Sequence, residues 1–158
     1  MKKRINVSTI APILGTLYPP PFDQNCTTRE RRALGDASGL TQFGVNLLSL
    51  PPGAWSSQRH WHSHQDEFIY IIAGEAILCT DDGEEKLMAG DAAGFKAGDK
   101  NGHCLRNESR EDVLALEIGT RTKEETVRYS DIDMVAHRKG KPIYFSKRDG
   151  TPYPNTSK

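Results

Sequence analysis

No stretch of this sequence stays apolar for the roughly eighteen residues that a membrane-spanning helix needs, so no such helix is expected and a membrane is not a partner. An excess of one charge is missing as well. Lysine and arginine together number 21, as do aspartate and glutamate, and a chain without net charge has no long-range pull toward nucleic acid or anionic lipid. No nucleic-acid partner is expected. The locally basic run Arg29-Glu30-Arg31-Arg32 is short, contains an acid and has no aromatic residues among its cations, so it reads as a solvated surface segment. Cysteine is scarce: Cys26, Cys79 and Cys104 are odd in number and form no C-x-x-C pair, which argues against a disulfide framework and a thiolate zinc site and fits a reducing compartment. Met1-Lys2-Lys3-Arg4 carries the charge of a signal-peptide start, but Asn6, Ser8, Thr9 and Pro12 interrupt the apolar core that would have to follow. A cytoplasmic location is therefore expected. Internal repeats and low-complexity tracts are absent too.

What the 158 residues do contain is one domain's worth of short β-type runs separated by turn residues. Thr41, Phe43, Val45 and Leu47 alternate with Gln42, Gly44 and Asn46 until Pro51-Pro52-Gly53 ends the run. Residues 58–64 form a second run. Phe68-Ile69-Tyr70-Ile71-Ile72 reads as a buried strand stopped at Ala73-Gly74, and residues 76–80 begin the return. Asp81-Asp82-Gly83-Glu84 then supplies a glycine able to take positive φ in a hairpin turn. Ala89-Gly90-Asp91 marks another corner, and shorter strands are expected at 92–95, 103–107 and 113–118. The pattern is that of an all-β antiparallel sandwich or barrel. The first residues differ, because Tyr18-Pro19-Pro20-Pro21-Phe22 must run extended. The expected division is an N-terminal arm over 1–39 that packs on the barrel or a partner subunit, a barrel over 40–120, and a polar, loop-rich C-terminal tail over 121–158, all in a single domain.

Chemistry concentrates in His60-Trp61-His62-Ser63-His64-Gln65-Asp66-Glu67. Side chains alternate along a strand with period two, so His60, His62 and His64 share one face. Glu67 opens the next run on the parity of Ile69 and Ile71, an apolar series suited to an interior, and its carboxylate is expected at that interior's rim. Taking His60 and His62 with Glu67 leaves a four-residue connection, against two residues for His62 and His64. The longer link is preferred, which puts His64 near the turn, solvated or orienting a ligand. His103 begins an independent short strand after a Gly-containing loop, where a fourth donor enters. Neutral imidazoles with one carboxylate suit a divalent transition metal: Zn, Fe, Mn or Ni. Arg59, Arg106 and Cys104 adjoin these residues but have the opposite parity, so they should point away from the interior. Cys79 reads as a small apolar filler.

These residues resemble the two motifs of the cupin superfamily. The first motif, a Gly, His-x-His, four residues, Glu, six residues and Gly, is met by Gly53, His60-Trp61-His62, Glu67 and Gly74. The second is met by Gly90, Gly98, His103 and Asn107, with Lys96 where a proline is usual and two extra residues between Gly98 and His103. The resemblance covers roughly residues 40–120. It implies a double-stranded β-helix, or jelly-roll barrel, with His60, His62, Glu67 and His103 as metal ligands. The pieces Tyr18-Pro19-Pro20-Pro21-Phe22, Gly39-Leu40-Thr41-Gln42-Phe43-Gly44 and Asp149-Gly150-Thr151-Pro152-Tyr153 resemble a group of single-domain bacterial cupins, some of them described as sugar-phosphate isomerases by similarity alone. Four protein ligands on a six-coordinate ion leave two positions for a small-molecule substrate. An α-hydroxy carbonyl held there has an acidified α-proton, the basis of aldose–ketose isomerisation, with Glu67 or His64 as candidate catalytic base. Such an enzyme also needs a cationic pocket for phosphate, which Arg59 and Arg106 do not supply. An Fe(II)-dependent dioxygenase and a non-catalytic small-molecule-binding module are the alternatives. The resemblance further implies a homodimer, through open sheet edges and an exchanged arm.

Overall fold

The computed structural model describes residues 3–140 and 142–154, so Met1 and Lys2 of the basic start lie outside the described residues. Two short N-terminal strands, β1 (Ile13–Leu14) and β2 (Glu30–Ala33), precede a single helical turn, α1 (Leu34–Ala37). The strands that follow are β3 (Phe43–Leu50), β4 (His60–His62), β5 (Glu67–Ala73), β6 (Glu75–Thr80), β7 (Gly83–Met88), β8 (Ala92–Phe95), β9 (Cys104–Arg106) and β10 (Val113–Thr120). Three more close the chain: β11 (Glu124–Tyr129), β12 (Val135–Lys139) and β13 (Tyr144–Ser146). They assemble into a six-stranded sheet of order β1-β2-β3-β10-β5-β8, a four-stranded sheet β13-β12-β11-β4 and a three-stranded sheet β7-β6-β9. Every ladder is antiparallel. Among the described residues no helix is long and apolar enough to cross a membrane.

Period-two alternation decides which side chains fill the core. Leu48 and Leu50 of β3, Ile69 and Ile71 of β5, and Val113 and Ala115 of β10 face inward with Leu78, Leu87 and Leu105. The opposite face of the same strands is apolar too. Val45, Ile118 and Phe68 lie abreast across β3, β10 and β5, as do Leu47, Leu116 and Tyr70. Phe68, Tyr70 and Ile72 are 44%, 41% and 42% exposed, so the run expected to be buried is buried on one face only. Five consecutive apolar residues carry no period, and a one-sided strand and a two-sided one then look the same. Glycine supplies the turns: Gly83 has φ 119° in the β6–β7 hairpin, and at Gly74, φ 79°, a Cβ would lie 2.5 Å from the Asp112 carbonyl oxygen.

The polar tail contributes three strands to one wall of the barrel. Val127 pairs with His62 and Tyr129 with His60, while Ala136 and Phe145 continue the same rows. Charged outward neighbours such as Arg128 hide this alternation from a composition-based reading. Tyr18 of the arm packs edge-on against Tyr129 and Phe145, at 5.4 and 5.9 Å between ring centroids, which fastens the proline-rich arm over the tail strands.

The basic run corrects the reading of a solvated segment. Arg31 pairs with Leu48 across β2 and β3, and Arg29 is only 7% exposed. Alternation turns Arg29 and Arg31 to the barrel side and Glu30 and Arg32 away, and that part of the interior is a cavity with charged groups in its lining rather than packed core.

Candidate metal centre

Strand β4 is three residues long and presents His60 and His62 on one face. His103 arrives beside them through a two-hydrogen-bond bridge: the His60 N–H donates to the His103 carbonyl at 3.1 Å, and the His103 N–H donates back at 2.8 Å. The loop ahead of His103, longer than the motif prescribes, is anchored by Gly98, whose N–H donates to the His62 carbonyl at 2.8 Å. It passes so close to the tail that a Cβ at Gly102 would lie 2.1 Å from Ser130 Oγ. Asn107 pins the far end of β9: its buried Nδ2 donates to the Leu50 and Glu111 carbonyls at 2.7 and 2.8 Å, and its Oδ1 accepts from the Ser109 N–H at 2.9 Å.

Glu67, the first residue of β5, faces all three imidazoles. Its Oε2 lies 2.8 Å from His103 Nε2, 3.2 Å from His62 Nε2 and 3.7 Å from His60 Nε2, and the two β4 Nε2 atoms are 3.2 Å apart. Ligands about 2.1 Å from a transition ion sit about 3.0 to 3.4 Å from one another in octahedral or tetrahedral arrangements. His60, His62 and Glu67 lie near that spacing and form a candidate metal-binding group, and His103 Nε2 abuts the same carboxylate oxygen. His60 Nδ1 donates to the Gln58 carbonyl at 2.9 Å, which fixes the ring with Nε2 aimed at the cluster. Phe95 stacks flat on the His103 ring at 3.5 Å.

Three imidazoles around one carboxylate also compete for protons. Burial opposes ionisation of Glu67, but hydrogen bonds from His103, His60 and His62 outweigh it and hold the carboxyl well below the usual range. Burial pushes His60 down. At His62 burial acts the same way, yet the hydrogen bond and charge of Glu67 prevail and the imidazole is raised. A divalent ion would take the place of those protons.

A family model described as the cupin domain matches residues 46–119. A sugar phosphate isomerase of the cupin superfamily from Silicibacter pomeroyi is 41% identical, with 96% of each chain covered and a TM-score of 0.92. The chain belongs to the cupin superfamily. A second structure, provisionally named a sugar phosphate isomerase, from Acidithiobacillus ferrooxidans, is 25% identical over 80% of this chain and 81% of that one, TM-score 0.73. A polyketide cyclase from Streptomyces resistomycificus shares the fold at 18% identity, with 76% and 80% covered and a TM-score of 0.61. A search of curated proteins finds no match.

In this cupin the candidate metal centre lines a cavity of about 300 Å³ that also contains three arginines, Arg29, Arg31 and Arg138, and three glutamates, Glu67, Glu117 and Glu125. Arg31 grips Glu117 with both ends of its guanidinium, Nε to Oε2 at 2.5 Å and Nη2 to Oε1 at 2.7 Å. Glu125, 5% exposed, accepts from the Ser63 N–H and hydroxyl at 2.8 Å each and from the His64 N–H at 3.1 Å. Tyr18 and Tyr129 line the same space, and burial pushes both phenols up, so they remain hydrogen-bond donors.

The cavity's arginines were not singled out from sequence. Parity from β2 identifies Arg29 and Arg31 once that strand is recognised, whereas nothing local marks Arg138. His64 is exposed, shares a hydrogen bond of 2.7 Å with Ser63 Oγ and is not among the cavity-lining residues. Arg59 and Arg106 face outward, onto Asp81 and Asp131 and onto Glu84 and Glu108 respectively. Cys104 pairs with Cys79 across β9 and β6, buried and off the cavity.

Proposed function

We propose that this cupin holds a divalent transition ion, Zn, Fe, Mn or Ni, on His60, His62, Glu67 and His103, and interconverts an aldose phosphate and a ketose phosphate. The observation that carries this reading is the convergence of four donor groups in a cavity whose other walls bear three arginines. The likeness to the Silicibacter pomeroyi cupin, itself described as a sugar phosphate isomerase, supports it.

When bound, the ion supplies Lewis acidity that polarises the substrate carbonyl and acidifies the neighbouring C–H. Isomerisation then requires one proton to move between the two carbons and a second to pass between their oxygens. Every imidazole contact of Glu67 uses Oε2, so Oε1 is the carboxylate oxygen left to accept the first proton and return it. Glu117 is unsuited, since Arg31 occupies both of its oxygens. His64 lies outside the cavity, which favours Glu67 over it as base. Tyr129, Tyr18 and Ser57 border the space with hydroxyls suited to orient a polyol.

The test is a panel of aldose and ketose phosphates incubated with metal-reconstituted protein in deuterium oxide and followed by NMR. Isomerisation with solvent deuterium entering at the carbon next to the carbonyl is expected. Tight binding without turnover would support a non-catalytic binder instead, and substrate-dependent oxygen uptake with Fe(II) would support a dioxygenase. We also propose that two copies pair as a homodimer, through the apolar outer face carrying Phe68, Tyr70 and Ile72 and the exposed edge residues Ile13 and Leu14. A sedimentation measurement giving monomer at micromolar concentration would overturn the pairing.

A further inference from the structure

Each carboxylate in the cavity already has internal partners. Glu67 is held by the three imidazoles, Glu117 by Arg31, and Glu125 by donors from Ser63, His64 and Thr126. The arginines are not balanced in the same way. Only Arg31 has a carboxylate. Arg29 bonds through Nε and Nη1 to the carbonyls of Gly15 and Ser56, and among the described residues it has no acidic partner. The side chain of Arg138, half-buried on β12, has neither an ion pair nor a hydrogen bond among the described residues. Its cross-strand neighbour is Glu125, whose oxygens are spent elsewhere.

Two guanidiniums in one cavity thus lack a paired carboxylate, and a divalent ion on the histidine cluster would give the cavity, whose three arginines and three glutamates otherwise balance, a net positive charge. A buried or half-buried cation without an anion is costly, and a ligand that brings one recovers that cost. A guanidinium presents two parallel N–H donors matched to the oxygens of phosphate, and a phosphate monoester carries close to two negative charges at neutral pH. Arg138 and His62 line the same cavity, so one small molecule can reach both groups.

We infer that Arg138, with Arg29 adding to the positive field of the same cavity, forms the binding site for the phosphoryl group of a small substrate. The inference rests on reading the cavity as a substrate site. It assigns recognition to the tail strand β12 and the chemistry to β4, β5 and the residue ahead of β9.

The experiment titrates inorganic phosphate calorimetrically into the wild-type protein, metal-loaded and metal-free, and into Arg138→Gln and Arg138→Lys. Since Arg138 has no side-chain partner among the described residues to lose, both variants should match the wild type in melting temperature and metal content. Saturable binding is expected in the metal-loaded wild type, weakened by about 10-fold or more in Arg138→Gln and partly recovered in Arg138→Lys. Equal phosphate affinity in wild type and Arg138→Gln, or no saturable binding by the wild type, would overturn the site. Further arms compare an aldose phosphate with its unphosphorylated sugar. A sugar phosphate that binds more tightly than inorganic phosphate, with the bare sugar weaker by about 10-fold or more, supports a substrate site. No gain from the sugar would leave only a free-anion site and overturn the substrate assignment. Binding is read without turnover, so a phosphate effect of Arg138→Gln stands even if no isomerisation is found. Isomerisation with an unchanged KM in Arg138→Gln would overturn this site and leave the isomerase reading intact.

Discussion

The two ends of the cavity are made by different parts of the chain and held together by different physics. The metal end draws its imidazoles and carboxylate from strands β4 and β5 and from His103, all inside the stretch 46–119 that matches the cupin domain. The cationic end draws Arg29 and Arg31 from the N-terminal arm and Arg138 from the tail, both outside that stretch. A motif spacing can specify the first because His60, His62 and Glu67 are few residues apart and His103 stands directly ahead of the short strand β9. The second depends on which distant segments fold over the barrel, so no local motif specifies it.

The sharpest way to break the comparison is to disable one end alone. His103→Ala removes a donor whose side chain is 4% exposed and 2.8 Å from Glu67, while leaving every arginine in place. Metal affinity is expected to fall by at least about 100-fold, since loss of mere supporting partners around a metal already costs 10- to 100-fold. Metal analysis after dialysis checks it. Phosphate binding through Arg138 should survive in the metal-free state. Equal metal content in wild type and His103→Ala would remove this residue from the ligand set.

The converse change acts on the cationic end. Glu117→Gln leaves Arg31, 23% exposed, without the carboxylate that holds it charged. Stability should fall by about 3 kcal/mol, the usual cost of breaking a largely buried pair from one side. Denaturant unfolding measures this loss, and metal content should stay as in the wild type. A matching loss of metal would mean that the two ends are one coupled network rather than two.

How far the sequence could be read follows the same division. The clustering of His60, His62, Glu67 and His103 is legible because period two and turn residues fix parity within a short run, and Gly74 and Gly83 mark nearby corners. Arg29 and Arg31 were misread because a basic run on a neutral chain looks solvated unless the strand that turns alternate residues inward is already known. Tail strands β11 and β12 were hidden by Arg128, Arg138 and Lys139, whose charge suggests loop while Val127 and Ala136 face in. The outer face of β5 was misjudged for the opposite reason: Phe68, Tyr70 and Ile72 are apolar yet lie outside the core. In each case the missing information is what covers a face, which only tertiary structure provides.

The smallest expected effect concerns the outside of the metal strand. Arg59 lies between His60 and Gln58 on the opposite parity and donates to Asp131 at 2.6 and 2.9 Å, tying β4 to the loop after β11 from the solvent side. The Arg59 hydrogen bonds hold the Asp131 carboxyl below its ordinary value. A depressed carboxylate contributes stability that is fully present above the unfolded-state value, about pH 4, and is lost as pH falls through the folded-state value. Asp131 is 58% exposed, so solvent screening should keep its contribution below about 1 kcal/mol. Asp131→Asn should therefore unfold slightly more easily than wild type at pH 7, and the gap should close below about pH 4 as the wild-type carboxylate becomes protonated. Paired denaturant curves at pH 7 and pH 3 measure both quantities. A gap that persisted at the lower pH would mean that Asp131 acts through packing rather than charge. The outer fastening of β4 would then owe nothing to ionisation, unlike the Arg31 and Glu117 pair inside the cavity.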